Sequence, residues 1–267
     1  EEGWVVFNGA SLEDLATWTA LMNGYMDVGL DENVLDFFEK MPKSLIMDSV
    51  SVANVLKACG NVGALCKGQE MHVNIAKRGL DVDASITSSL VDMYSKCGSL
   101  KEAHQVFDEL LVQDVVSWTA LLTGYATHGN SEEVLYCVKK LQYECIYLGP
   151  VALVCILKAC NSIEVIAKGQ EMHIDIAKQG LENELLVGNA LIDMYAKCGM
   201  LPEAENVFGK LQARDIVSWT TVIAGYAQLG QNNDVFDMFE RMRMENVTPD
   251  CITFLSILNA CSHAGLV

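Results

Sequence analysis

The residues of this chain that are best suited to chemistry are its ten cysteines and five histidines. Regularly spaced cysteines can form disulfides or bind zinc, and a zinc site usually contains a Cys-x-x-Cys pair. No such pair occurs, and half of the cysteines recur at equivalent places, which are Cys59, Cys160 and Cys261 after Ala, and Cys97 and Cys198 before Gly. We interpret these cysteines as small core residues in a reducing compartment, with zinc binding as the alternative. The sequence therefore predicts neither a metal site nor a cofactor.

The whole sequence repeats itself at an interval of about a hundred residues. Trp18, Trp118 and Trp219 each begin a Trp-Thr-Ala or Trp-Thr-Thr tripeptide that is followed by Gly-Tyr, and they are separated by 100 and 101 residues. Each block divides into unequal units, which indicates a tandem array. Seven complete units are predicted at residues 15–48, 49–83, 84–114, 115–149, 150–184, 185–215 and 216–250. Residues 1–14 match the end of a preceding unit and 251–267 the start of another, so we expect a fragment of a longer protein.

Every unit carries the pattern of two helices joined by a turn that contains glycine. In the unit that begins at Val115, apolar residues recur at helical spacing on both sides of Gly129. Gly98 and Gly199 are expected to close first helices in the left-handed conformation, and Pro202 suits the first turn of a second helix. No alternating strand pattern and no run of eighteen apolar residues is present. These patterns predict an all-α solenoid of tandem helix-turn-helix repeats, with first helices on one face, and no membrane segment.

Three features of these units resemble the pentatricopeptide repeat (PPR) family. They are the first-helix motif that runs from Val116 to Tyr125, a Phe-Glu-x-Met in second helices at 38–41 and 239–242, and the terminal Pro249-Asp250. The Trp-x-x-Leu-Gly pattern of tetratricopeptide repeats is absent, and 137–140 departs from the second-helix motif with Cys-Val-Lys-Lys. The cycle of about 35, 35 and 31 residues resembles the plant PLS subclass, with repeats in P-L-S order. The resemblance implies a right-handed superhelix.

The resemblance further implies sequence-specific binding of single-stranded RNA, one nucleotide per repeat. In the family the fifth and last residues of a repeat specify the base. The pairs here are Thr19 with Asp48, Ala53 with Asp83, Ser88 with Asp114, Thr119 with Gly149, Val154 with Glu184, Asn189 with Asp215, and Thr220 with Asp250. Thr or Ser with Asp resembles a guanine reader and Asn with Asp a uracil reader, which gives 5′-G-n-G-n-n-U-G. The alternative is that these residues only cap helices.

The second residue of a repeat is apolar in the family and packs against base faces. The matching residues here are Val50, Val116, Val151, Leu186, Val217 and Ile252, whereas Ala16 and Ser85 depart from the pattern. The alternative for each apolar residue is ordinary core between repeats.

The net charge of −17 opposes RNA binding, because Lys and Arg usually neutralise phosphates. The predicted first helices are near neutral, with Lys57, Lys96, Lys158 and Lys197 against Asp27, Asp92 and Asp193, so most of the acidic charge belongs to second helices and turns. The resemblance places Lys96 and Lys197 where the family contacts backbone phosphate. We expect modest affinity.

Catalysis is not expected, although PLS proteins commonly act in organellar C-to-U RNA editing. Editing chemistry requires a deaminase-like domain with His-x-Glu and Cys-x-x-Cys, as in the C-terminal E/DYW-type domains, and neither signature occurs. His72, His104, His128, His173 and His263 are never followed by Glu two residues later. We interpret them as helix-surface or turn residues.

Two functions therefore remain open from the sequence. The first is an RNA-recognition module of a mitochondrial or chloroplast protein that selects editing sites, with no small-molecule substrate. The second is an α-solenoid scaffold that binds a peptide or a small editing-factor protein, since the resemblance also implies such docking on long-type repeats.

Overall fold

A computed structural model describes residues 15–42, 47–80, 83–144, 146–161 and 165–263. Within these ranges the regular elements are fifteen α-helices and a 3-10 turn at Leu181–Asn183, without a strand. The first helices of the pairs are α1 (Leu15–Asp27), α3 (Ser49–Val62), α5 (Ala84–Lys96), α7 (Val115–Thr127), α9 (Pro150–Ala159), α11 (Leu185–Lys197), α13 (Ile216–Gln228) and α15 (Cys251–His263). The second helices are α2 (Asp31–Lys40), α4 (Leu65–Arg78), α6 (Leu100–Asp108), α8 (Ser131–Glu144), α10 (Ile166–Lys178), α12 (Leu201–Lys210) and α14 (Asn232–Met244). The predicted all-α class is confirmed, and the partial unit predicted at 1–14 lies outside the described residues.

The chain divides into two compact units, residues 1–128 with α1 to α7 and residues 129–267 with α8 to α15. In the first unit α1, α3, α5 and α7 pack side by side in that order, and in the second α9, α11, α13 and α15 do the same. A second helix packs against its own first helix and against the next one, as α2 does on α1 and α3, and α12 on α11 and α13. This packing brings the amino termini of successive first helices together within each unit. None of the described helices is both long and apolar enough to cross a membrane.

Helix ends follow the local signals of the sequence. Gly98 and Gly199, two residues after the ends of α5 and α11, have φ of 76° and 77°, which confirms the predicted left-handed closures. Pro202 lies in the first turn of α12, as expected. The two glycines end a helix and Pro202 begins one because the residue type itself favours the backbone geometry required there.

The repeated tryptophans belong to the core between helices. Trp118 packs its ring on Phe107 with centroids 4.5 Å apart, and Trp219 packs on Phe208 at 4.7 Å, in both instances an edge contact with the second helix of the preceding repeat. Both indoles are almost fully buried. Edge contacts between buried aromatic rings contribute about 0.5–1.5 kcal/mol beyond the burial of their area. Trp118 and Trp219 therefore serve the packing between consecutive repeats.

At two of the three repeated Gly-Tyr pairs, the glycine lets neighbouring first helices approach closely. A Cβ added at Gly225 on α13 would lie 2.7 Å from the Cβ of Ala196 on α11, and one at Gly124 on α7 would lie 2.6 Å from the Cβ of Ser95 on α5. Cβ atoms do not approach so closely, so only glycine fits at these two places.

The histidines make specific bonds that the sequence did not reveal. The Nδ1 atoms of His72, His104 and His173 lie 2.9, 2.6 and 2.8 Å from the hydroxyls of Tyr94, Tyr125 and Tyr195, respectively. Each bond joins a second helix to the first helix of the next repeat. The interpretation of these three half-buried histidines as helix-surface residues is therefore incomplete, because they also link consecutive repeats. His128 directly follows α7, as predicted for a turn residue, while His263 ends α15.

The cysteines agree with the interpretation as core residues at most of the equivalent places. Cys59, Cys160 and Cys198 are buried, and Cys97 and Cys261 are half-buried. Burial raises the pKa of the Cys59 and Cys160 thiols to about 11, so both remain neutral and unreactive at neutral pH.

Candidate nucleic-acid interface

The residues predicted to contact the bases lie at the amino-terminal ends of the first helices, whereas the predicted phosphate ligands Lys96 and Lys197 end α5 and α11. Three positions matter, and we name them by role: the reading residue is the fifth of a repeat, the cap residue is the last, and the relay residue is the third of the following repeat. Because first helices pack side by side within each unit, the reading residue of one repeat lies close to the cap and relay residues that begin the next helix.

The predicted stacking residues are exposed. The exposed fractions of Val50, Val116, Val151, Leu186, Val217 and Ile252 range from 47% to 64%. Val55 and Val222, five residues further along the same helices as Val50 and Val217, are in contrast at most 1% exposed. The alternative that the second residues form ordinary core between repeats is therefore wrong. Ala16 and Ser85, which depart from the apolar pattern, are exposed as well.

Five of the seven cap residues cap the next helix through their side chains, as the capping alternative expects. A carboxylate oxygen accepts a backbone N–H at the start of the next helix, at 2.7–2.9 Å, in Asp48, Asp83, Asp114, Asp215 and Asp250. Glu184 and Gly149 precede α11 and α9 without a side-chain cap bond. A carboxylate accepts several hydrogen bonds, so capping leaves further acceptor sites for neighbouring side chains.

Asn189 and Asp215 come together through Ser218. The Asn189 amide donates from Nδ2 to Asp215 Oδ1 at 3.2 Å, and the Ser218 hydroxyl lies 2.7 Å from Asn189 Oδ1 and 2.9 Å from Asp215 Oδ1. Ser218 has no exposed surface. The predicted reading and cap residues of the sixth repeat are therefore in direct contact, and the hydroxyl of a buried serine that the sequence prediction missed lies within hydrogen-bonding distance of both.

Thr220 and Asp250 are joined in the same way through Thr253. The hydroxyls of Thr220 and Thr253 are 2.8 Å apart, and Thr253 donates to Asp250 Oδ1 at 2.7 Å. Thr253 is fully buried, whereas Thr220 and Asp250 line an open groove of about 260 Å³. Val217 and Ile252, the exposed second residues of two consecutive repeats, line the same groove.

In the first unit Thr19 makes the corresponding contact. Its hydroxyl lies 2.6 Å from that of Ser51, whose backbone N–H is capped by Asp48. Ser88 with Asp114 is the next pair that is assigned to a base, and Ser88 is nearly buried. The hydroxyl of the relay residue Ser117 donates to the backbone carbonyl of Asp114 at 2.9 Å. Ser88 and Asp114 line a groove of about 720 Å³ together with Val116.

The three remaining pairs lack this arrangement. Asp83 accepts the hydroxyl of Ser49 at 2.7 Å, and its partner Ala53 has no polar side chain. Val154 is half-buried, and Glu184 makes no cap bond. Thr119 donates its hydroxyl to the carbonyl of Val115 at 2.6 Å, while Gly149 has φ of −74° and open space around its Cα. That backbone is accessible to any residue, so glycine is not required there.

Four of the cap carboxylates are stabilised in the ionised form. The Ser51 hydroxyl and backbone N–H hold the pKa of Asp48 below its usual range, and the Thr253 backbone N–H and hydroxyl do so for Asp250. For Asp83 the main cause of the lowered pKa is the Ser49 hydroxyl. Burial is the largest effect at Asp215 and raises its pKa, but the bonds from Ser218 and Asn189 together outweigh it. Ionised carboxylates accept and never donate, which fixes the direction of the bonds around them.

The two predicted phosphate ligands are paired with aspartates. Lys96 Nζ lies 2.7 Å from Asp92 Oδ2, and Lys197 Nζ lies 2.8 Å from Asp193 Oδ2. Lys197 and Asp193 both line the groove that contains Thr220 and Asp250. Both lysines are exposed, so these pairs contribute little stability and can be displaced by another anion. The aspartates nevertheless weaken the positive potential that the lysines provide.

The chain matches known sequences along most of its length. It matches the PPR repeat family at residues 214–263 and the PPR repeat at residues 16–44, 85–115, 116–146 and 189–216, which together cover more than half of the chain. Among Arabidopsis thaliana proteins, it is 34% identical over 265 residues to the pentatricopeptide repeat-containing protein At1g03540 and 35% identical over 262 residues to At4g18520, a chloroplastic one. These matches cover 98% of this chain and 43% and 42% of those proteins, so the chain spans less than half of each.

A solved structure has the same fold. The pentatricopeptide repeat protein PPR10, crystallised in complex with an 18-nucleotide psaJ RNA element, superposes with a TM-score of 0.80 over 96% of this chain and 39% of that chain. The two sequences are 19% identical, so the likeness concerns the fold.

Proposed function

This chain belongs to the PPR repeat family, and on that premise we propose that it binds single-stranded RNA sequence-specifically, with one nucleotide per repeat. The repeat division given above sets the register, and the reading order is 5′-G-n-G-n-n-U-G. PPR10, which shares the fold, was crystallised with RNA, and this supports the proposal.

One observation carries the proposal above all others. In the seventh repeat an open groove is lined by two exposed apolar side chains, Val217 and Ile252, and by two hydrogen-bonding residues, Thr220 and Asp250. Apolar surface suits the two faces of an unpaired base, and polar groups suit its edge. A structural cap alone would not require the apolar pair to remain half exposed.

The charge of the molecule predicts modest affinity. With a net charge of −17, the chain must rely on local contacts more than on counterion release. Lys197 lies in the groove beside the reading residues, although Asp193 offsets part of its charge. Binding is therefore expected to be sensitive to base identity and only weakly sensitive to salt.

The finer assignment follows from the PLS-like cycle of repeats. We propose that the parent protein is organellar, since relatives of this chain are named as chloroplastic and mitochondrial PPR proteins. We further propose that the array selects sites for C-to-U editing and that the deaminase chemistry is supplied outside residues 1–267, because the chain has no His-x-Glu or Cys-x-x-Cys signature.

A second candidate function rests on two apolar grooves beside the second helices. One, of about 500 Å³, is lined by Met41, Met47, Met71, Ile75 and Leu80 among others. The other, of about 600 Å³, lies at the equivalent place of the second unit and includes Leu141, Ile146, Leu148, Leu153 and Met172. In the predicted P-L-S order, each lies where a P-type repeat meets the following L-type repeat, at 15–48 with 49–83 and at 115–149 with 150–184. They favour docking of a peptide or a small editing-factor protein in addition to RNA.

A binding comparison at fixed salt tests the proposal. We expect 5′-G-A-G-A-A-U-G RNA to bind more tightly than an RNA of the same composition in scrambled order and than the matching DNA. Equal binding of all three nucleic acids, or none, would show that the array does not read RNA.

A further inference from the structure

A buried hydroxyl lies between the cap carboxylate and the reading side chain at three repeat boundaries. The residues are Ser51, Ser218 and Thr253, each with no exposed surface. We propose that this third residue of the following repeat is a positioning residue for base selection, because it fixes which hydrogen-bonding groups the reading residue presents. The inference rests on the proposed RNA-binding function and deepens it.

The direction of the bonds is determined at Thr220. The ionised carboxylate of Asp250 can only accept, so Thr253 gives its single hydroxyl proton to Asp250. The hydroxyl of Thr253 must then accept the proton of Thr220, 2.8 Å away. Thr220 consequently offers the groove only lone pairs. It suits a base edge that donates, and guanine carries two adjacent donors, N1–H and the N2 amino group, where adenine has an acceptor at N1.

The hydroxyl proton of Thr19 is also used in a hydrogen bond inside the protein. Its hydroxyl lies 3.0 Å from the carbonyl of Leu15 and 2.6 Å from Ser51, whose own hydroxyl is bonded to the Asp48 carboxylate. The proton of Thr19 therefore points into the protein, and its free lone pair points outward. Two reading threonines with the same predicted base thus have the same hydrogen-bonding polarity.

At Asn189 the relay fixes the orientation of an amide. Its NH₂ donates to Asp215, and its oxygen accepts the single proton of the Ser218 hydroxyl, which here goes to the reading residue and not to the carboxylate as at Thr253. Asp215 Oδ1 accepts instead from Asn189 and from the Ser218 backbone N–H. A half-turn of the amide would place its oxygen against the carboxylate. The free N–H and the free lone pair of Asn189 are therefore held in a fixed order. The edge of uracil presents N3–H beside O4, and that of cytosine presents the reverse order of acceptor and donor. A fixed amide can match uracil, whereas a flipped one can match cytosine.

A hydroxyl at the relay position also coincides with the pairs to which a base is assigned, although Ser117 donates to the backbone carbonyl of Asp114 and not to a reading residue. At the four boundaries whose pair is assigned to guanine or uracil, the relay residue carries a hydroxyl. These residues are Ser51, Ser117, Ser218 and Thr253. The other three boundaries have Ile86, Ala152 and Val187. In the sequence the signal is Asp-x-x-Ser or Asp-x-x-Thr across the boundary, which is also a helix-capping pattern.

The test uses the full chain and the sixth nucleotide of the predicted RNA. Ser218→Ala keeps the backbone N–H that Asp215 caps, and we expect it to reduce the preference for uracil over cytosine about tenfold, the value of one base-edge contact. Ser218→Thr, which restores the hydroxyl found at Thr253, should regain the preference. Discrimination between guanine and adenine at the seventh nucleotide should be unchanged in both variants and should fall in Thr253→Ala.

The possible failures are distinguishable. If the parent chain selects uracil and Ser218→Ala selects it equally well, Ser218 does not position Asn189 for base selection, even if the variant melts at a lower temperature. The RNA-binding proposal stands in that case. If the parent chain does not distinguish the four bases at this nucleotide, both proposals are overturned.

Discussion

The hydroxyl of Thr220 lies 2.8 Å from the hydroxyl of Thr253, which begins the next first helix of the array. The two threonines belong to different repeats, so the hydrogen bonds that the reading residue of one repeat can offer depend on a residue of the next repeat. This relationship means that a repeat of this array is not a self-contained reading unit. Predictions about one nucleotide must therefore consider residues on both sides of a repeat boundary.

The first prediction concerns the uracil reader. Asn189→Ser, with Asp215 and Ser218 retained, should shift the preference at the sixth nucleotide from uracil toward guanine, because a hydroxyl replaces the amide beside the same carboxylate. The change should be worth about 1–3 kcal/mol. Competition binding with RNAs that differ only at this nucleotide measures it, and Asn233→Ser, at an exposed residue of the second helix α14, is the control. Identical ranking by variant and parent would refute the assignment of Asn189.

The second prediction concerns stacking. Val217→Ser should weaken RNA binding about fivefold, or ~1 kcal/mol, whatever base is present, because the exposed side chain supplies apolar contact to a base face. The melting temperature should hardly change, since Val217 is half exposed. Val73→Ser is a matched control, because Val73 is 53% exposed but belongs to the second helix α4. Equal loss of affinity in both variants would exclude a specific role for Val217.

The third prediction concerns the groove charge. Asp193→Asn should increase RNA affinity and steepen its decline with salt, because Lys197 loses its carboxylate partner while the amide oxygen still accepts from Asn161. The slope of log K against log salt should become more negative by up to about 1. Asp175→Asn removes a similar partner from Lys178 outside the groove and should leave the slope unchanged. An unchanged slope in Asp193→Asn would argue against phosphate contact by Lys197.

The fourth prediction concerns acid stability. The pKa of Asp48 is lowered in the folded chain, so its cap contributes stability above the unfolded value of about 3.9 and loses it as the pH falls through the lower folded pKa. Asp48→Asn keeps a good cap without a titrating group. We expect the melting temperature of the parent to fall further than that of this variant between pH 5 and about pH 2. Parallel melting curves for the two proteins would contradict the role of Asp48.

The fifth prediction concerns Gly149. Gly149→Asp should stabilise the fold by a few tenths of a kcal/mol, because the residue precedes α9 with an ordinary φ, open space and no side-chain cap. Denaturant unfolding measures the change, and Gly149→Ala separates the cap from the reduced freedom of the unfolded chain. Gly180→Ala, at a φ of 72°, should instead destabilise by about 1 kcal/mol. Destabilisation by Gly149→Asp would show that glycine is required at that position.

Much of the architecture was predictable from the sequence because it depends on local signals. The recurring Trp-Thr and Gly-Tyr motifs gave the repeat, and helical spacing gave the helix pairs. Gly98 and Gly199 closed first helices as their residue type favours. The caps at Asp48, Asp114, Asp215 and Asp250 follow the same rule, since a cap contacts a backbone N–H two or three residues away. Interactions over such short distances are fixed once the helix forms.

The tertiary structure alone decided how residues 22 to 33 positions apart meet. It left Val217 exposed and buried Ser218 next to it, although both lie in the first turn of α13. It also joined Asn189 to Ser218, Thr220 to Thr253, and His173 to Tyr195. The periodicity of one helix predicts which of its faces is apolar, but not the offset at which the next helix packs against it. That offset is set by close contacts such as Gly225 on Ala196, and it determines which polar side chains fall within hydrogen-bonding distance.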